Sequence, residues 1–234
     1  MDKENIYSDK WEMVIGLEVH VQLNSKTKMF TPTNWSYGES PNTQICPITL
    51  GYPGTLPMIN GEAVKKGVLI GLSLNCNINN VTKFSRKHYF YPDLPKGYQI
   101  TQFDSPLCEN GFIDIENKKI RILRAHLEED AGKSIHTLEG DALIDYNRCG
   151  APLLEIVSEP DMSSADEAME YLKSLKEIIS SIGASDCNME KGNLRVDLNI
   201  SVMPSGSKTF GTRREVKNVN SFRNVEKAIP YEYN

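Results

Sequence analysis

Between Met13 and Leu23 apolar and polar residues alternate. Met13, Ile15, Leu17, Val19, Val21 and Leu23 fall on one face of an extended segment, and Glu18, His20 and Gln22 on the other. A strand with this pattern buries one side and holds a carboxylate and an imidazole as rigid neighbours on the other. The pattern returns twice. In residues 120–130, Leu123, Ala125 and Leu127 are expected on the apolar face and Arg124, His126, Glu128 and Asp130 on the polar one. In residues 194–203, Leu194, Val196, Leu198, Ile200 and Val202 alternate with Arg195, Asp197, Asn199 and Ser201. One half-polar strand is commonly just solvated on that side; three together can wall one concave site.

Helical periodicity takes over elsewhere. Asn60 is expected to cap a helix to about Asn75, with Val64, Val68 and Leu72 as its buried stripe. The clearest helix runs from Ala165 to Ile182. Ser164 and Glu167 form its capping box, Ala168, Leu172, Leu175, Ile179 and Ile182 its stripe, and Gly183 its end. A last helix begins near Ser221 with Phe222, Val225 and Ile229 inward, and Pro230 is expected to interrupt it. Further strands are predicted over 111–116, 141–147, 153–158 and 212–219, and residues 31–60, rich in Pro, Gly, Asn and Thr, as loops. Strands cluster instead of alternating with helices, so the expected fold is α+β, a mainly antiparallel sheet with flanking helices. Residues 1–10 read as a polar tail and 11–234 as one domain.

The composition, 39% hydrophobic and 24% charged in 234 residues, is that of a globular protein. No apolar run is long enough to span a membrane, and the acidic, polar N-terminus does not resemble a secretory or transit peptide, so the expected location is the cytoplasm. The five cysteines are odd in number and widely spaced, which argues for reduced thiols. A net charge of −5 excludes a chain that holds nucleic acid with its whole surface. A local contact remains open at Lys83 to Gly97, where Lys83, Arg86, Lys87 and Lys96 interleave with Phe84, Tyr89, Phe90 and Tyr91. The same composition also suits a solvated loop with inward aromatics.

No phosphate-cradling glycine loop is present: Pro204 to Thr209 lacks the Gly-Lys of a Walker sequence, and there is no GxGxxG. A bound nucleotide would need metal and basic side chains for its phosphates. Glu18, His20, Glu128 and Glu155 suit Mg²⁺, which takes one or two carboxylates and keeps positions for phosphate and water. Glu155 lies inside the apolar run Leu153 to Val157, where a lone charge is costly, so it faces a polar cavity, a metal, or an ion-pair partner such as Arg148 or Arg195. His20 and His126 could each be an ordinary strand-face histidine. Lys217 shares a face with Glu215, and Asn218 and Asn220 suit either ribose and phosphate contact or strand-end capping.

Several long motifs together are specific. Trp11 to Phe30, Tyr89 to Ile100, His126 to Lys133, Asp145 to Asp161 and Val216 to Phe222 closely resemble the B subunits of the glutamyl-tRNA(Gln)/aspartyl-tRNA(Asn) amidotransferases, from about residue 11 to 229. The resemblance implies a catalytic cradle domain similar in fold to glutamine synthetase, and an ATP-dependent, kinase-like step. In that step the side-chain carboxylate of Glu or Asp on a mischarged tRNA is phosphorylated, then amidated with ammonia from a partner amidase. It also implies Mg²⁺ held by Glu18, His20, Glu128 and Glu155, with Glu129 as an alternative to Glu128, and an amidase (A) and a small C subunit as partners. Arg195 and Lys217 are the candidates for phosphate contact by charge and strand face, and the Tyr89 to Tyr98 loop for contact with the acceptor stem. Where some members carry Cys-x-x-Cys this chain has Cys46-Pro-Ile-Thr49, which makes a zinc site doubtful. The family continues past residue 234 into helical and tail domains, so the chain is expected to hold metal and to bind tRNA weakly. The rival readings are a metal-dependent phosphoesterase or nuclease using the same cluster, and a non-catalytic scaffold.

Overall fold

The computed structural model describes residues 10–233, so positions 1–9 of the expected tail lie outside the described residues. The first alternating segment forms β1 (Trp11–Gln22), with Met13, Ile15, Leu17, Val19 and Val21 all buried. Six more strands join it: β2 (Asn77–Ile78), β5 (Cys108–Ile115), β6 (Lys118–Glu129), β9 (Pro152–Ser158), β10 (Leu194–Pro204) and β11 (Arg214–Val219). They make one sheet in the order β11-β10-β1-β9-β6-β5-β2, antiparallel at every pairing. Two hairpins stand apart from it, β3 (Ser85–His88) with β4 (Tyr98–Thr101) and β7 (Lys133–His136) with β8 (Ala142–Asp145). The helices α1 (Gly61–Ser73), α2 (Ala165–Ser181) and α3 (Phe222–Tyr233) share one hydrophobic core with the apolar face of the sheet. The fold is α+β, as the pattern predicts.

Helix starts follow local chemistry. The Asn60 side chain accepts from the amides of Glu62 and Ala63, and Ser164 Oγ accepts from the Glu167 amide at 3.1 Å. The return arm of the second cap reaches one residue further out than expected: the Glu167 carboxylate accepts from the Ser163 amide and binds Lys118 Nζ at 2.9 Å. Gly183 closes α2 with φ +67°.

Three expectations need correction. Leu123 is not on the apolar face but 40% exposed, because the β6–β9 register shifts between Ile122 and Arg124. One extra residue there turns Ile120 and Ile122 inward on one side of the irregularity and Ala125 and Leu127 inward on the other. Leu72 is exposed, whereas α1 meets the sheet through Ala63, Gly67, Ile70 and Gly71. A Cβ at Gly67 would stand 2.8 Å from Leu107 Cδ2, so the helix approaches on its small residues, a face that apolar periodicity does not reveal. Finally, α3 continues through Pro230 to Tyr233. Burial of Val225 and Ile229 holds it, and the proline stands in the last turn, with only three helical residues after it.

Candidate metal centre

The face of the sheet opposite the helices carries the chemistry. Register sets a row across four strands: Arg195 on β10 lies opposite His20 on β1, His20 opposite Glu155 on β9, and Glu155 opposite His126 on β6. Glu155 Oε2 lies 3.4 Å from His20 Nε2 and 3.3 Å from His126 Nε2. Glu128, one position along β6 on the same face, brings Oε1 to 3.5 Å from His20 Nε2, and its Oε2 accepts from Thr101 Oγ1 at 3.3 Å. The ligand atoms of His20, Glu128 and Glu155 all fall within 4.8 Å of one another. Both carboxylates are buried.

Glu18 does not join this trio. It lies opposite Asp197 in the β1–β10 register and groups with Asp197 and Glu215, again within 4.8 Å. Asn199 Nδ2 donates to Glu18 Oε1 at 2.9 Å, the Asn218 amide to Asp197 Oδ1 at 2.7 Å, and Lys217 Nζ pairs with Glu215 at 3.3 Å. The four residues implied as a single set therefore sit in two adjoining groups along β1, and Lys217 attends the second. Glu129 turns away from both. It is paired with Lys96 and accepts from the Ile100 amide at 3.0 Å, so of the two adjacent glutamates only Glu128 faces the trio.

Arg148 and Arg195 are the ion-pair partners that the sequence offers Glu155, yet neither pairs with it. Arg195 binds Asp130 through Nη1 at 3.0 Å and Nη2 at 3.1 Å, and Arg148 Nε stands 3.6 Å from the same carboxylate. No lysine or arginine among the described residues then forms an ion pair with Glu128 or Glu155; Lys87 and Arg195 act on Glu128 only from a distance. Burial pushes the Glu128 carboxyl up. It pushes Glu155 the same way, but the hydrogen bonds and charges of His126 and His20 win and hold that carboxyl well below the usual range. For His20, burial disfavours the imidazolium, while the hydrogen bond to Glu155 and the charges of Glu128 and Glu155 raise its pKa overall. His126 Nδ1 is buried without a hydrogen-bond partner among the described residues. Two buried carboxylates and an imidazole nitrogen, with no basic side chain between them, fit a small divalent cation in donor type and charge.

Two features border the trio. A cavity of about 500 Å³ opens at the Gln22 end of β1, with Arg195, Arg148, Trp35, Tyr37 and Asn218 in its wall. On the β6 side, Thr101 at the end of β4 connects Glu128 to the β3–β4 hairpin, where the Arg86 guanidinium lies 4.4 Å above the Tyr98 ring and Phe90 and Tyr91 are exposed. Thr101, Asp130, Asp197 and Glu215 are the groups that strand alternation did not single out as site residues. Asp130 and Asp197 lay on predicted polar faces, but what they touch depends on register.

Among the described residues no helix is long and apolar enough to cross a membrane. Residues 13–234 match the family model described as the GatB/GatE catalytic domain. The chain is similar to the B subunit of the aspartyl/glutamyl-tRNA(Asn/Gln) amidotransferase from Coxiella burnetii, at 58% identity over 96% of this chain and 48% of that protein. It is likewise similar to the protein of the same name from Clostridium botulinum, at 55% identity over 95% of this chain and 48% of that protein. It spans about half the length of the curated relatives it matches. With 222 of its positions inside the family model, the chain belongs to the GatB/GatE catalytic-domain family.

Proposed function

We propose that this chain is the catalytic part of a tRNA-dependent amidotransferase, in which ATP phosphorylates the side-chain carboxylate of Glu or Asp esterified to a mischarged tRNA and ammonia displaces the phosphate. Carrying this reading is the convergence of His20, Glu128 and Glu155 within 4.8 Å on a polar sheet face, in a chain of this family. Mg²⁺ held there supplies charge neutralisation for phosphate oxygens, the main requirement of phosphoryl transfer. The protein's own groups do the positioning. His126 and His20 orient Glu155 from both neighbouring strands, Thr101 fixes one oxygen of Glu128, and Asp130 holds the Arg195 charge rigidly beside His20. The carboxylates of Glu18, Asp197 and Glu215 offer oxygen ligands for a further cation, and Lys217 adds positive charge for a phosphate on that side. The aromatic and basic β3–β4 hairpin suits stacking and phosphate contact with the end of an RNA. Ammonia comes from an amidase partner, which a small C subunit accompanies.

The test is calorimetric titration of Mg²⁺ into the chain and into Glu155→Ala. The variant is expected to lose at least tenfold in affinity, because it deletes one of three ligands. Mg²⁺ affinity equal to wild type would remove Glu155 from the site. In the assembly with its partner subunits, ATP consumption should depend on Glu-tRNA(Gln) or Asp-tRNA(Asn); RNA cleavage that needs metal but no ATP would replace this reading with the nuclease one.

A further inference from the structure

The half of β6 that carries His126 and Glu128 has a strand on one side only. β5 pairs with β6 as far as Cys108 opposite Ala125, whereas β9 continues alongside to Glu129. From His126 onward the outer edge of β6 therefore presents buried backbone groups to no ladder among the described residues, and such groups need partners. Residues 99–102, at the end of β4, supply them from side chains. The Leu127 amide, between His126 and Glu128 in the chain, donates to Gln102 Oε1 at 2.9 Å, and the Glu129 carbonyl accepts from Gln99 Nε2 at 2.7 Å. Gln102 is 1% exposed and is held at three points: its Oε1 also accepts from the Leu107 amide at 3.2 Å, and its Nε2 donates to Thr82 Oγ1. Two backbone amides facing one oxygen fix which way the side-chain amide is turned. Between the two glutamines, Thr101 Oγ1 donates to Glu128 Oε2 at 3.3 Å, and the Ile100 amide donates to the neighbouring Glu129 at 3.0 Å. Both adjacent glutamates are thus anchored to the same short segment.

We propose that Gln99, Thr101 and Gln102 are positioning residues for the cation ligands, a belt of side chains that stands in for the missing strand and fixes where Glu128 points. The proposal rests on the Mg²⁺ reading of His20, Glu128 and Glu155 above and deepens it by naming what holds the ligands ready. The ligand oxygens of Glu128 and Glu155 lie within 4.8 Å of each other, and like charges that close repel unless each is held in place. Glu155 is held by histidines on both neighbouring strands. Glu128 is held by the belt: Thr101 engages Oε2 and leaves Oε1, 3.5 Å from His20 Nε2, as the ligand oxygen. A hydroxyl can aim that carboxylate only if the backbone beneath it is fixed, which is what Gln102 does at the Leu127 amide and Gln99 at the Glu129 carbonyl. Thr101 also lies opposite Ser85 in the β3–β4 register, so the residue that aims Glu128 is itself set by the hairpin. Outer partners of metal ligands typically govern metal affinity by about 10–100-fold.

Mg²⁺ is titrated by calorimetry into the wild-type chain and into Thr101→Val, Thr101→Ser, Gln102→Met, Glu128→Gln and Glu155→Ala. Thr101→Val and Gln102→Met are each expected to bind Mg²⁺ about tenfold more weakly, and Thr101→Ser within about twofold of wild type, because serine restores the hydroxyl donor. Adding Thr101→Val to Glu128→Gln should cost little further, since the threonine acts through that carboxylate. Gly71→Ala, a core change on the helix side of the sheet, controls for lost stability and should leave Mg²⁺ affinity unchanged. Wild-type affinity in Thr101→Val or in a folded Gln102→Met would overturn the belt, as would a Thr101→Ser variant as weak as Thr101→Val or losses that add in full in the double variant. Wild-type affinity in Glu155→Ala would instead overturn the cation site on which the proposal rests. If Gln102→Met fails to fold by circular dichroism, the Thr101 variants decide.

Discussion

Lys28 is an ammonium with no solvent exposure whose described bond is one at 3.3 Å to Tyr146 O. Burial lowers its pKa to about 8, partly resisted by nearby Cys149 and Cys46. The depressed value is a stability statement. Below about pH 8 the residue is protonated in both folded and unfolded chains and its full desolvation cost applies; between about pH 8 and 10.5 the folded chain sheds the proton first, and the cost fades. Lys28→Met is therefore expected to raise unfolding free energy by about 1–3 kcal/mol at pH 7, with the advantage shrinking at pH 9.5 and gone above pH 10.5. Urea unfolding at the three pH values measures this, and a Met variant less stable than wild type at pH 7 sinks it. The same scale shows how far side-chain identity could be read. Glu155 in an apolar run marked a charge needing a partner, but the partners proved to be two histidines, with the arginines drawn off to Asp130.

At the scale of elements, period-two alternation located β1 and β10 and their polar faces, and cap chemistry located α1 and α2. It failed where the period itself breaks. The shift at Leu123 flips the phase of β6, and Asn110 opposite it on β5 takes φ +55°, so both strands absorb the irregularity together. Without that shift the half of β6 that carries His126 and Glu128 would turn its other side to the trio. β3, β4 and β7 escaped notice because their faces are exposed or mixed and give no alternation to detect. The close seat of α1 yields a test. A Cβ at Gly71 would meet Cys108 Sγ at 2.4 Å and Ile78 Cδ1 at 2.8 Å, so Gly71→Ala is expected to destabilise by about 1–3 kcal/mol despite better helix propensity. Gly61, with nothing within 4 Å, is the control, and Gly61→Ala should change the urea midpoint little. Equal stability of both variants would show that α1 is not held against β5.

For the whole molecule, the sheet divides the labour: helices bury one face, and the other concentrates acidic groups, of which Glu128 and Glu155 have histidines but no lysine or arginine as ion-pair partners among the described residues. A cation that binds the folded chain and not the unfolded one must then stabilise it. Mg²⁺ at a hundredfold excess over its dissociation constant is expected to add about 2.7 kcal/mol to unfolding, and the same concentration no more than about 1.4 kcal/mol in Glu155→Ala, whose affinity is at least tenfold weaker. Denaturation with and without Mg²⁺ measures the difference; equal shifts in both proteins would place the binding elsewhere.

The sequence by itself determined which residues face inward on β1 and β10, where α1 and α2 begin, and that glutamates and histidines share polar faces, because side-chain alternation and capping are local properties of the backbone. The tertiary structure alone decided that Glu155 falls between His20 and His126, that Glu18 belongs with Asp197 and Glu215, that Glu128 and not Glu129 faces the trio, and that two arginines meet on Asp130. Those meetings join residues as far apart as Glu18 and Glu215, and they depend on strand register, which is set by the packing of the whole sheet and shifted by a single extra residue.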